Sequence, residues 1–132
     1  KATTASYFLC RAPERQDRSA TIFMVALIAP TKTQTLSLQD GLKDALLSLK
    51  ASRSHWVHSS AEWGNINGKD FLRVRWEGDD PQQKTPVHAK GFVYCTALQN
   101  SLLVLCGQDV DKYAPGTLPA LEDRIFATTI TP

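Results

Sequence analysis

The sequence predicts an α+β sandwich, an antiparallel sheet of about six strands packed by two amphipathic helices, in one domain over residues 1–132. Three observations predict it. Runs rich in β-branched and aromatic residues outnumber helical ones, and apolar residues recur at helical spacing in only two windows, 37–50 and 117–126. The last third reads as a β-hairpin leading directly into a helix. The order is two strands, helix, four strands, helix, which suits an antiparallel sheet better than a βαβ alternation.

Each element has its own warrant. Residues 6–11 form a short strand, and 13–19, charged and broken by Pro13, form a turn. Residues 20–29 carry Thr21, Ile22, Phe23, Val25 and Ile28. Their near-continuous apolarity predicts burial on both faces and a central place in the sheet. A polar linker covers 30–35. Ser37 then caps a helix, with Asp40 three residues on, and Leu38, Leu42, Ala45, Leu46 and Leu49 make one apolar stripe.

Residues 55–63 alternate loosely, and Gly64-Asn65-Ile66-Asn67-Gly68 signals a tight turn. Residues 70–77 follow with a period of two: Phe71, Arg73 and Arg75 share one face, Leu72, Val74 and Trp76 the other. Such a strand belongs in a sheet open to solvent on one side. Residues 78–84, with two aspartates and a proline, read as a loop. Strands 86–97 and 102–107 pair across Gln99-Asn100-Ser101, residues 109–116 connect irregularly, and Leu118, Leu121, Ile125 and Phe126 mark the second helix, with Pro119 in its first turn.

Composition bounds the function. At 42% apolar and 21% charged, 132 residues bury one core without staples. The net charge of +2 comes from bases interleaved with acids, as in Arg11/Glu14/Arg15 and Lys43/Asp44, which excludes a nucleic-acid stripe. The longest apolar run, 22–30, is too short to span a bilayer. The first residue is Lys1, so a fragment or processed chain is expected, with any signal or anchor lying before it.

No motif supplies chemistry. Cys10, Cys95 and Cys106 match neither a metal nor a redox spacing and read as buried thiols. Cys95 and Cys106 flank one hairpin, and a four-residue loop would place them opposite each other, so a disulfide stays open. His55 and His58, three apart on a strand, point to opposite faces, and His88 lies elsewhere. Glu77, Asp79 and Asp80 lack the ligand alternation of a calcium loop and read as a solvated turn. No serine sits in a nucleophile elbow. No catalytic residue, metal set or cofactor is predicted.

The candidate binding residues are Trp56, Trp63, Arg73 and Arg75, because Trp and Arg are the types that carry interface energy. Trp76 shares the Leu72/Val74 face and reads as core.

The apolar strand 21–28, the helix 37–50, the turn at Trp63-Gly64-Asn65-Ile66-Asn67-Gly68 with Phe71-Leu72-Arg73-Val74-Arg75, the Lys90-Gly91-Phe92-Val93-Tyr94 strand and the closing Thr117-Leu118-Pro119-Ala120-Leu121-Glu122 segment together resemble the PsbP-like superfamily. That group includes photosystem II extrinsic subunits, Ran-binding nuclear transport factors and bacterial lipoproteins. The resemblance covers about 20–130 and implies an α/β/α fold, an adaptor or accessory role without catalytic residues, and an extracytoplasmic bacterial setting, periplasmic or lipid-anchored. Members commonly open with a strand ending in a Pro-Gly-Trp turn, whereas residues 6–13 here have the proline without the tryptophan.

The expected function is a non-enzymatic interaction or accessory domain, its partner another protein or a second copy in a homodimer. The alternatives are a small-ligand domain using a cleft between the sheet and the first helix, with Trp56 or Trp63 contributing, and an enzyme built on a cysteine with a histidine.

Overall fold

The computed structural model describes residues 4–29, 37–80 and 87–127. The predicted linker 30–35, most of the 78–84 segment and residues 128–130 of the predicted PsbP-like span lie outside them. The element order is β1 (Thr4–Arg11), β2 (Ile22–Ala29), α1 (Leu38–Ala51), β3 (Ser54–His58), β4 (Glu62–Ile66), β5 (Lys69–Asp80), β6 (Val87–Leu98), β7 (Ser101–Val110) and α2 (Ala114–Ala127).

All seven strands join one antiparallel sheet, in the order β1-β2-β7-β6-β5-β3, with β4 also paired to β5. The α+β class is as the sequence predicts. The strand count rises from six to seven because 55–63 splits: β3 and β4 follow one another along the same side of β5. The β4–β5 connection is the Asn67-Gly68 turn, with φ of 52° and 87°. Two central residues in the left-handed region define the twist-compatible hairpin turn that Asn-Gly favours.

The two helices cover opposite faces. On one, Leu42 of α1 packs with Leu72, Val74, Trp76, Val93, Cys95, Leu102 and Val104. On the other, Ile125 of α2 packs with Ile66, Phe71, Phe92, Tyr94 and Leu105. Strands β6 and β7, apolar on both faces, are therefore the buried centre, as their burial patterns record. The Ser37 hydroxyl accepts from the Asp40 N–H over 3.0 Å, so the predicted cap forms.

Several expectations are corrected. Strand β2 is next to the edge and mostly half-buried, its side chains packing at the margins of both cores; its apolar run does not make it central. Residues 78–80 continue β5, pairing Gly78 with Ala89 and Asp80 with Val87. Strand β7 runs on to Val110, leaving three residues before α2. Helix α2 starts at Ala114, so Pro119 falls in its second turn, on the exposed side where the lost backbone donor matters least.

Candidate functional site

The four sequence-predicted binding residues divide between the two faces of the sheet. Arg73 and Arg75 lie opposite Tyr94 and Phe92 on the α2 face. That face is not open: Glu122 of α2, with its side chain 8% exposed, reaches down to it. Arg75 Nη2 donates to both Glu122 oxygens over 2.8 and 2.9 Å, and the Tyr94 hydroxyl donates to Oε1. Arg73 Nη2 donates to Glu62 over 2.8 Å, and Nη1 reaches the Tyr94 hydroxyl at 3.4 Å. Burial pushes the Tyr94 phenol up to about 12. The arginines thus clamp a helix to the sheet, and Glu122 and Tyr94 were missed because their pairing links residues far apart in sequence. Beside them a cleft of about 420 Å³ opens between the sheet and α2, with Phe92 and Leu118 among its walls and Arg75, Lys90, Glu77 and Glu122 at its rim.

Trp56 and Trp63 belong to the α1 face. Trp56 stacks on Trp76 with centroids 5.2 Å apart at 21°, and Trp76 is core as expected. Trp63 pairs with Leu72 across β4–β5 and is 60% exposed. A groove of about 350 Å³ runs between α1 and the sheet, lined by Leu42, Leu46, Trp56, Leu72 and Val74, with Lys43 and Lys50 also on its walls. Trp56 forms part of it; Trp63 does not.

Two of the three histidines, His55 and His88, meet in a way their spacing hides, whereas His58 bonds the Ser59 carbonyl. A register shift between Ser54 and Val57, with His55 at φ 51°, bulges β3 and brings His55 Nδ1 to 2.8 Å from Asp79. His88 Nδ1 lies 2.7 Å from the other Asp79 oxygen and Nε2 lies 2.9 Å from Glu77. Asp79 and then Glu77 raise the His88 pKa, and His88 in turn lowers that of Asp79. Glu77 and Asp79 are therefore strand residues holding histidines, not a solvated turn. Among the described residues, no group of three or more His, Cys, Asp or Glu is arranged to hold a metal ion.

All three cysteines are free thiols. Cys95 lies opposite Val104 and Cys106 opposite Val93, two rungs out of the register a bridge would need. Both are buried and their thiols are pushed up to about 12 by desolvation, which leaves them protonated and poor nucleophiles. Cys10 is exposed, contrary to expectation, because no helix covers β1.

The most unusual surface is β1 itself. Tyr7, Phe8 and Leu9 are 68%, 65% and 64% exposed. The register places Tyr7 and Leu9 opposite Ala26 and Met24 on the α1 face, and Phe8 opposite Val25 on the α2 face. Consecutive apolar residues are thus exposed on both faces of an edge strand.

These features define an α+β protein built on a seven-stranded antiparallel sheet with one helix on each face, and no described helix is long and apolar enough to cross a membrane. No family model and no curated protein matches the sequence. Among solved structures it is similar to PA94 of Pseudomonas aeruginosa, a protein of unknown function proposed as a regulator, at a TM-score of 0.64 over 98% of this chain and 85% of that one. The identity is 11%, so the likeness is one of fold.

Proposed function

We propose that the chain is a non-enzymatic interaction module of the PsbP-like kind, acting outside the cytoplasm, whose docking element is the outer edge of β1. The observation that carries this reading is the unguarded edge. Natural sheets protect edge strands with lysine, proline or a bulge. Residues 6–10 have no charge and no proline, pair with β2 in unbroken register, and expose Tyr7, Phe8 and Leu9. The chemistry that fits is an extended, uncharged, apolar strand added by backbone pairing, with side chains flanking both faces. The protein's own β1 has that chemistry, so a second copy is one natural occupant and another protein's strand the other.

The test uses sedimentation equilibrium of the purified chain and titration with a synthetic peptide of the β1 sequence. Self-association, or binding of the peptide, that Leu9→Lys abolishes supports the reading. A monomer that ignores the peptide refutes it.

A second reading rests on the groove beside α1. Its apolar walls and the Lys43 and Lys50 ammonium groups suit an acyl chain carrying an anionic head. Dodecanoate should quench or shift tryptophan emission, and the change should vanish in Trp56→Phe; emission that dodecanoate leaves untouched removes this reading.

A further inference from the structure

A polar cleft of about 630 Å³ opens where β2, β5, β6 and β7 meet the segment joining β1 to β2 and the end of α1. Arg18, Ser19, Ser52, Arg53, Asp80 and Gln108 are among its walls. We infer that this cleft binds a small hydroxylated oxyanion, a phosphate monoester or a carboxylate bearing hydroxyl groups.

The argument begins with Arg53. Its side chain is 8% exposed, lies across Gly78 and stacks over Trp76 with the guanidinium carbon 4.7 Å from the ring centre. Nη1 donates to the Leu49 carbonyl over 2.8 Å. The other edge of the fork is underused: Nη2 makes one long bond of 3.3 Å to Gln108, Asp80 stands off at 3.6 Å, and the buried Nε–H has no acceptor. Buried donors are rarely left unpaired. The Nε–Nη2 edge is the one that grips a carboxylate or phosphate with two parallel bonds.

The neighbouring charges agree. Arg18 sits at φ 69°, held there by its N–H to the Arg15 carbonyl, and its guanidinium has no ion pair or hydrogen bond among the described residues. A non-glycine residue in the left-handed region is uncommon and, where it persists, is held by its surroundings. Three acids, Asp17, Asp80 and Asp109, also line the cleft, and two of them are engaged. Asp17 accepts from the N–H and hydroxyl of Ser19, and Asp109 from Arg15, Thr21 and Thr117. Asp80 alone stands with only a distant cation, and it would repel a bare anion but accept from a hydroxyl group. Together with Gln108 and Ser52 it selects a ligand that carries hydroxyls beside its oxyanion. The site is independent of strand pairing at β1 and is tested separately from it.

Calorimetric titration with inorganic phosphate, glycerol 3-phosphate and glycerol tests the inference. Glycerol 3-phosphate should bind, phosphate more weakly, and glycerol alone not at all. Arg18→Gln, at an exposed position, should weaken glycerol 3-phosphate about tenfold without moving the melting temperature. The Arg53 Nε–H resonance should move on binding, a readout that needs no substitution at this buried position. Absence of binding at millimolar concentration, affinity that Arg18→Gln leaves unchanged, or an Arg53 Nε–H that does not respond would each overturn the inference.

Discussion

Arg15 grips Asp109 with both arms of its guanidinium, Nη1 to Oδ1 over 2.8 Å and Nη2 to Oδ2 over 2.7 Å. The pair ties the segment between β1 and β2 to the end of β7, and the Thr21 and Thr117 hydroxyls and the Val110 N–H complete the acceptor's shell. Arg15 also lies over the Tyr113 ring at 3.8 Å. Burial alone would raise the Asp109 carboxyl, but these donors outweigh it and hold the pKa at about 2. The folded value lies below the unfolded one, so the stabilisation is present above about pH 4 and is lost as pH falls toward 2. It amounts to roughly 2 kcal/mol. Asp109→Ala should cost about 3 kcal/mol in urea unfolding at pH 7, since it strands Arg15 and two hydroxyls, and should flatten the stability curve between pH 4 and 2. An unchanged acid limb in the variant would count against this assignment.

Glu122 is the corresponding tie on the α2 side. Glu122→Gln should destabilise by about 1–2 kcal/mol, because Arg75 and Arg73 lose a charged acceptor but Arg75 remains half in water. Tyr94→Phe should cost less, and a double-mutant cycle between the two should return a coupling of about 0.5 kcal/mol or more. Strict additivity would mean that the hydroxyl and carboxylate do not share a bond.

Two glycines hold aromatic rings. A Cβ on Gly91 would stand 2.4 Å from the Trp76 ring, and one on Gly107 would stand 2.4 Å from the Phe92 ring. Each ring lies over the glycine paired to it on the next strand. Gly91→Ala should therefore destabilise by about 1–3 kcal/mol through forced repacking, whereas Gly64→Ala, with open space around it, should be nearly neutral. Thermal melts of the two variants read the contrast directly.

Thiol reactivity follows burial. Iodoacetamide should add one group to the native chain, at Cys10, and three after denaturation. Mass spectrometry counts the adducts, and labelling of Cys95 or Cys106 in the native protein would mean that the core opens readily.

The His88 imidazole gives a second pH limb. Asp79 and Glu77 hold it from both ring nitrogens, with His55 on the far side of Asp79. Its folded pKa is raised, so the stabilisation is full below the unfolded value near 6.5 and is lost as pH rises through the higher folded value. His88→Gln should remove that decline, and urea midpoints measured across neutral to alkaline pH compare the two.

Much of this fold is legible in the sequence because local pattern and tertiary context agree. The Leu38–Leu49 stripe, the Ser37 cap, the Asn67-Gly68 turn and the alternation through 70–77 each encode their own structure. The misreadings occur where partners decide. The apolarity of β2 resembles that of a central strand, yet its place at the margins of both cores leaves it half-buried. Asp79 looks like a loop residue until β6 pairs with it. The candidate site is less legible still. Trp56, Trp63, Arg73 and Arg75 fall on neighbouring strands, but the pleat sends the tryptophans and the arginines to opposite faces, and Arg53, Arg18 and Gln108 converge only through folding. Tyr7, Phe8 and Leu9 read only as part of a short strand, and nothing local says that the sheet order leaves them at its margin.

The two margins of the sheet are unequal, and this limits how such a protein can assemble. The β1 margin is one uninterrupted ladder of eight residues. The other is divided between β3 and β4, each five residues long, and is broken by the bulge at His55. A strand can join the first but finds no continuous template on the second. If copies pair at β1 as proposed, propagation would stop after one event, closing a pair rather than extending a fibre.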